Sequence, residues 1–461
     1  MNYLSTRGTE RVELSAAIAQ GLAADGGLFV PDAWPQAAAE ADLASASLAS
    51  VAARFLTPFA TGDVLAPHMS AITAEAFNFP APLVRLAGRA PAPAEGDVSV
   101  LELFHGPTAA FKDFGARFLA AVMTRLRAGA GAGVSAAKMR ALRILVATSG
   151  DTGGAVAAAF HGRSGIEVTV LFPKGLVSPT QQQQLTCWGG NVQSFAVRGS
   201  FDDCQRLVKQ AFADADLRAD FDLTSANSIN LGRLLPQAVY YVAASWAIKH
   251  RTGLAASFVI PSGNLGNATA CVWARRCGAP IADIVLAHNA NRTVPDYLAE
   301  GTLRLRPSIA TLASAMDVGS PSNLERLTAL YPDAAALASG VSAVAVDDEA
   351  IRARIREDFQ RFGAIWCPHT AVAAEAWARL PAALRTRGPW VLVATAHPAK
   401  FREIVEPLIG ESVLVPANLA SLFERPSHFS EIDPNVAALR AALASASAST
   451  SVPGAKLQGA A

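Results

Sequence analysis

From residue 98 onward the chain repeats one unit, a short and continuously apolar run followed by a stretch of helix length. The runs are Val98–Leu103, Ile144–Thr148, Val168–Phe172, Val192–Val197, Phe258–Pro261, Ile284–His288, Ala343–Val346 and Trp390–Ala394. Helical patterns cover Asp151–Gly162, Pro179–Cys187, Asp202–Ala213, Arg233–Lys249, Gly266–Arg276, Asp347–Phe362 and Thr370–Leu380. A strand that is apolar on both faces must be covered on both faces. The alternation therefore predicts an α/β fold, with a mostly parallel sheet and helices on either side. Ligands of such sheets meet the loops that leave the carboxyl ends of the strands.

The remaining organisation is read from composition. At 461 residues, 51% hydrophobic and 17% charged, the chain can bury a large core and divide into domains. Residues 1–95 carry Ala-rich helical patterns and are expected to form a mainly helical N-terminal domain, interrupted by a turn and extended segment at Asp25–Pro31. Pro80–Pro93 is the expected boundary, 96–440 the α/β region with a smaller subdomain at 142–225, and 441–461 a disordered tail. Gly129–Ala137 precedes a strand rather than following one, so it predicts a flexible connector and not a dinucleotide fingerprint. Thirty-nine basic and 38 acidic side chains leave a net charge of +1, which argues against nucleic acid or an acidic membrane as partner. No secretory signal or membrane span is expected from the apolar windows, which are short and interrupted. Five cysteines without paired spacing suit reduced thiols in a cytosol; Cys187 reads either as a reactive thiol or as a small apolar residue closing a helix. No metal-ligand spacing is present, and no metal is expected.

Lys112 carries the most chemistry. It follows the strand Val98–Leu103 and a Gly106-Pro107 turn, and it stands between Phe111 and Asp113 at the start of a helical pattern. An ammonium among apolar neighbours loses hydration, its pKa falls, and the neutral amine can attack a carbonyl to form an imine. An ordinary lysine at a helix start, paired with Asp113, is the alternative.

Four strand-end loops add polar groups. Ser262 to Asn267 follows a strand and opens a helix; Gly263 and Gly266 permit close backbone approach, and the helix N-terminus supplies donors to an anion, with Asn267 a candidate N-cap. Ser149-Gly150-Asp151-Thr152 repeats the design, although Asp151 argues mildly against a bare anion there. Asn227, Ser228 and Arg233 can converge on a phosphate, and Thr395 can bond a neutral ring nitrogen. Each loop alone is equally well a capping turn. Together they fit a phosphorylated aldehyde cofactor and an anionic amino-acid substrate.

At these residues the chain resembles the threonine synthases, pyridoxal-phosphate enzymes of the tryptophan-synthase-β-like group. Tyr3–Gly8 and Gly21–Pro31 resemble the longer form of that family, which has an added N-terminal domain. The resemblance implies pyridoxal-phosphate fold type II, with two open, mostly parallel sheets. It implies that Lys112 holds the cofactor, that Gly263, Asn264, Leu265, Gly266 and Asn267 bind its phosphate, and that Thr395 faces its pyridine nitrogen. Ser149, Gly150 and Thr152 would hold substrate anion groups, and Asn227, Ser228 and Arg233 the substrate phosphate. Many relatives of this fold have Asn at the place of Asp151; the Asp resembles a trait of the longer subgroup, and its contact with the cofactor stays open. The implied reaction converts O-phospho-L-homoserine and water to L-threonine and phosphate, in a cytoplasmic monomer or weak homodimer. A dehydratase or cysteine synthase relative on the same cofactor is the rival reading, and a binding protein that has lost turnover a more distant one.

Overall fold

The computed structural model describes residues 1–38, 43, 46–88, 96–130 and 140–450. Its strands are β1 (Tyr3–Ser5), β2 (Arg11–Val12), β3 (Phe29–Pro31), β4 (Leu83–Arg85), β5 (Val98–Glu102), β6 (Leu142–Ala147), β7 (Ile166–Pro173), β8 (Val192–Val197), β9 (Asp222–Ser225), β10 (Ala256–Pro261), β11 (Ile281–His288), β12 (Ser342–Ala345), β13 (Trp390–Ala394) and β14 (Ser430–Ile432). They form three sheets. The six-stranded sheet has the order β12-β11-β10-β13-β5-β4 and the five-stranded sheet the order β14-β8-β7-β6-β9, while β2-β1-β3 make a small N-terminal sheet. All pairs in the two large sheets are parallel except β4 with β5. Strands β6, β10 and β13 are buried along their whole length and are apolar apart from Arg143, which pairs with Glu167, and Ser257.

Several boundaries differ from the sequence expectation. Helices Leu14–Gln20, Leu48–Leu56 and Met69–Ala76 fill the N-terminal region, but β1 to β3 add an antiparallel sheet to it. Strand β4 lies inside the proline-rich stretch expected as a boundary and pairs with β5, so the large sheet already begins there. The expected helix Arg233–Lys249 is broken. Pro236 lacks an amide hydrogen, and the chain makes a helical turn at Leu231–Leu234, a tight turn at Leu235–Gln237 and then the helix Ala238–Thr252. The expected disordered tail does not begin at 441, because helix Val436–Thr450 runs through it with Leu439 and Leu443 buried against the five-stranded sheet. Residues 451–461 lie outside the described residues, as does most of the Gly129–Ala137 connector.

One core joins the N-terminal region to the sheets. Tyr3, Leu14, Ile18, Phe55 and Phe59 pack in the same buried cluster as Phe114, Phe118 and Leu119 of helix Lys112–Ala130. Each such aromatic or Leu side chain contributes about 1.5–3 kcal/mol through burial. The helix that starts at Lys112 is therefore held along its length by the N-terminal residues.

Candidate active site

Backbone pairing brings Lys112 beside Thr395. β5 and β13 run parallel, and beyond their ends the Leu103 amide still donates to the Ala394 carbonyl at 2.9 Å. The chain then turns, and Ala110 bridges Ala396; the Phe111 amide donates to the Thr395 carbonyl at 2.8 Å and the His397 amide to the Ala109 carbonyl at 3.0 Å. Asp113 fastens the same loop by accepting from the Thr108 amide at 2.8 Å and the Thr108 hydroxyl at 2.7 Å. Ala109 and Leu265 are the two non-glycine residues with left-handed backbone among the described residues, at φ 54° and 63°. Both flank the candidate site, where strain of this kind concentrates.

A cavity of about 920 Å³ opens at these strand ends. Lys112, Ser149, Asp151, Thr152, Asn227, Ser228, Arg233, Thr395 and all five residues from Gly263 to Asn267 line it. Gly150 alone of the expected site residues does not. It sits behind the wall at φ 138°, where an added Cβ would lie 2.4 Å from the Gln181 side chain. The Ser149–Thr152 turn is held from below: the Thr148 hydroxyl accepts from the Gly150 and Gly153 amides, both at 2.9 Å. Those two N–H groups are thus already spent inside the protein.

Lys112 is mostly buried, with Nζ 5.3 Å from the Phe111 ring centre. Burial lowers its pKa to about 8 even though Asp151 pulls it upward, because Lys400 and Arg233 add to the lowering. The alternative pairing with Asp113 does not form, since Asp113 is occupied by Thr108. Burial alone would raise the Asp151 carboxyl. Lys400, Lys112 and His369 outweigh it and hold Asp151 well below the usual carboxylate range. Lys400 Nζ lies 2.7 Å from Asp151 Oδ1, whereas Lys112 Nζ lies 3.9 Å from Oδ2. Arg233 is fully buried, and burial lowers its pKa to about 10.

Helix Gly266–Arg276 begins directly behind the loop that follows β10, with Leu265 rather than Asn267 at the cap position. Asn267 is engaged elsewhere, its side-chain carbonyl accepting from the hydroxyls of Tyr240 and Tyr241. With that oxygen fixed, Nδ2 is buried and has no partner among the described residues. The Asn264 side-chain amide donates to the Ser228 hydroxyl at 2.6 Å, which joins the loop to the Asn227-Ser228 segment. Asn227 Oδ1 and Arg233 Nε are likewise buried without partners among the described residues. Gly263 packs so closely that a Cβ would approach the Met316 backbone to 2.8 Å.

A family model for pyridoxal-phosphate dependent enzymes matches residues 75–396, one for the threonine synthase N terminus matches 2–77, and one for the threonine synthase C-terminal region matches 370–443. Threonine synthase of Haemophilus influenzae is 39% identical over 94% of this chain and 97% of its own length. The Escherichia coli K12 enzyme is 38% identical over 94% of this chain and 96% of its own. The chain belongs to the threonine synthase family. The crystal structure of pyridoxal-phosphate-bound threonine synthase from Brucella melitensis superposes with a TM-score of 0.84 at 34% identity, covering 96% of this chain and 98% of that one. The yeast threonine synthase structure gives a TM-score of 0.86 at 27% identity, over 97% and 99% of the two chains. As a threonine synthase the protein is a pyridoxal-phosphate-dependent lyase of threonine biosynthesis acting on a small molecule, and its fold is that of type II enzymes.

The residues present fit that cofactor. A lysine with lowered pKa faces the same cavity as an unpartnered buried amide donor at a helix start. Sequence reasoning missed several residues of this threonine synthase site. Gln181 and Gln184 are buried at 1% exposure within a run of four glutamines, a polar run that on its own reads as a solvated face. His369 lines the cavity, accepts from the Ala315 amide at 3.1 Å, and is lowered to about 4 by burial. Arg326 is fully buried; it donates to the Phe29 and Ile229 carbonyls and to Asn323, so it ties β3 to the Ser228 loop. The N-terminal region adds Arg7, Leu22, Gly26 and Leu28 to the cavity wall, and Arg7 pairs with Glu325 at 2.8 Å. Among the described residues no helix is long and apolar enough to cross a membrane.

Proposed function

We propose that this cavity converts O-phospho-L-homoserine and water to L-threonine and phosphate, with Lys112 as the lysine that holds pyridoxal phosphate and moves protons. The observation that carries this reading is one lysine of lowered pKa on a cavity with separate polar positions for several anionic groups. The Gly263–Asn267 loop takes the cofactor phosphate through the Asn267 Nδ2 donor and the amides at the helix start. Thr395 offers a hydroxyl to the ring nitrogen. Ser149 and Thr152 orient the substrate carboxylate, with Gly150 shaping the turn behind them rather than touching the ligand; Asn227, Ser228 and Arg233 orient its phosphate. Asp151 acts on the two lysines beside it, Lys400 and Lys112.

When bound, the cofactor supplies an electron-accepting ring that stabilises negative charge on the substrate carbons. The protein's part is positioning and proton transfer. Anchors at both ends of the substrate place Cα and Cβ within reach of Lys112, which in neutral form accepts a proton. The Cγ–O bond breaks and phosphate leaves with the electron pair. Cγ ends with a further proton, while Cβ loses a hydrogen and gains the oxygen of water. Arg233, already desolvated, gives the leaving phosphate a charge-assisted fork at no further burial cost.

A cytoplasmic monomer or weak homodimer belongs to the same proposal, and five buried cysteines, all unpaired, support a reducing compartment. The test is to give the purified protein phosphohomoserine and follow both phosphate release and threonine. Equimolar formation of the two is expected. Deamination of serine or threonine without phosphate turnover would instead establish the dehydratase reading.

A further inference from the structure

Two lysines share one carboxylate beneath the cavity floor. Asp151 opens helix Asp151–Phe160 behind β6 of the five-stranded sheet, and Lys400 lies in the turn Pro398–Phe401 behind β13 of the six-stranded sheet. Their ion pair therefore spans the seam between the two sheets. Lys400 has no exposed surface, and its ammonium makes two contacts, to Asp151 Oδ1 at 2.7 Å and to the Thr108 carbonyl at 2.9 Å. Gln181 donates to the same Oδ1 at 3.2 Å, and Gln184 to the same Thr108 carbonyl at 2.9 Å. Lys112 approaches only the other oxygen, and at 3.9 Å it is beyond hydrogen-bond reach.

We infer that Lys400 is a positioning residue that claims the Asp151 carboxylate and so leaves Lys112 without a hydrogen-bonded counter-ion. The inference rests on the reading of Lys112 as the reactive amine. The charges that face Lys112 are Asp151 from its helix, Lys400 from the turn after β13, Arg233 from the segment before helix Ala238–Thr252, and His369 from helix Pro368–Ala378. His369 is neutral above about pH 4, which leaves two cations and one anion that is already committed. A buried ammonium in that company gains little by holding its proton. Remove Lys400, and Asp151 keeps the Gln181 amide while its only cationic neighbour within 4 Å, among the described residues, is Lys112. The amine should then be held in its charged form and lose nucleophilicity at neutral pH. Gln181 and Thr108 supply the geometry, because each fixes one side of the Lys400–Asp151 pair.

The test uses the full-length chain freed of cofactor, labelled briefly with acetic anhydride across a pH series, with acetylation of Lys112 read by mass spectrometry. Neither substrate nor turnover enters the measurement, so failure of the proposed reaction and failure of this inference are separable. In the wild-type chain the labelling midpoint of Lys112 is expected near pH 8. Lys400→Gln, which keeps a donor for Thr108, is expected to raise that midpoint by roughly one unit or more. Lys400→Arg, which keeps the cation, should stay near the wild-type value. An unchanged or lowered midpoint in Lys400→Gln overturns the inference. Should the single variant fail to fold because it leaves a buried carboxylate unpaired, the double variant Asp151→Asn with Lys400→Met removes the pair as a neutral unit. Its Lys112 midpoint is expected within about half a unit of wild type, and a fall of roughly a unit or more would show that Asp151 serves Lys112 directly.

Discussion

The Tyr241 hydroxyl donates to the side-chain carbonyl of Asn267 at 2.8 Å, and Tyr240 donates to the same oxygen from the same helix. Two donors on one amide oxygen decide which way the amide faces, and they leave Nδ2 as the donor proposed for the cofactor phosphate. Removing one of them releases part of that order at a cost of about 1 kcal/mol. Tyr241→Phe is therefore expected to weaken pyridoxal-phosphate binding roughly five- to tenfold, and the double Tyr240→Phe, Tyr241→Phe variant more. Dialysis equilibrium with the cofactor measures it. Unchanged affinity in the double variant would show that the amide is oriented by other means.

The role proposed for Lys112 sets the pH at which the protein should capture its cofactor. The reactive form is the neutral amine, so capture should accelerate as pH rises and level off above the pKa of about 8. An unperturbed lysine would place the bend near 10.5. Stopped-flow absorbance of cofactor addition from pH 6 to 10 distinguishes the two, and Lys112→Ala should show no capture at any pH.

Arg233 is expected to act on the phosphate end of the substrate. Truncating a buried charge that meets a substrate anion costs about 2–5 kcal/mol of binding. Arg233→Ala should accordingly raise KM for phosphohomoserine at least roughly thirtyfold while cofactor affinity changes little. Equal losses in both affinities would place Arg233 on the cofactor phosphate instead. Arg233→Lys should recover only part of the loss, because an ammonium cannot reproduce the planar fork.

Acid should unfold this protein through its histidines. Burial lowers His288 to about 3, and His369 and His397 to about 4. Each is depressed from 6.5 in the unfolded chain, so the folded state binds fewer protons between those limits. Stability is then complete above about pH 6.5 and declines as pH falls toward 4. Urea midpoints at pH 7 and pH 5 should differ in that direction, and His288→Gln should flatten the slope. A stability independent of pH over this range would mean that the three rings reach water.

The loops at Ser149–Thr152 and Gly263–Asn267 were legible in the sequence because each combines a continuous apolar run with Ser, Gly or Asn at its end, both of which are local. Lys112 was legible for the same reason, with Phe111 beside it. Lys400, Tyr240, Tyr241 and His369 were not. Their neighbours in sequence are mostly residues that would suit any core, and their partners lie 292, 27, 26 and 54 positions away. Only pairing between distant segments gives them a role. The small sheet β2-β1-β3 was hidden because strands of two or three residues have no periodicity to detect. The tail departs from expectation because its small residues suggest disorder, while Leu439 and Leu443, four positions apart, give the helix a buried stripe.

The position of β13 between β5 and β10 has a consequence for biogenesis. Its two neighbours have left the ribosome long before residue 390 is translated, yet neither can complete its ladder without the missing middle rail. Until β13 is made, the facing edges of β5 and β10 lack their partner strand, and an edge left open in this way is a site for pairing with another nascent chain. Because the turn carrying Lys400 follows β13 immediately, the step that closes the sheet also delivers the last charge to the site.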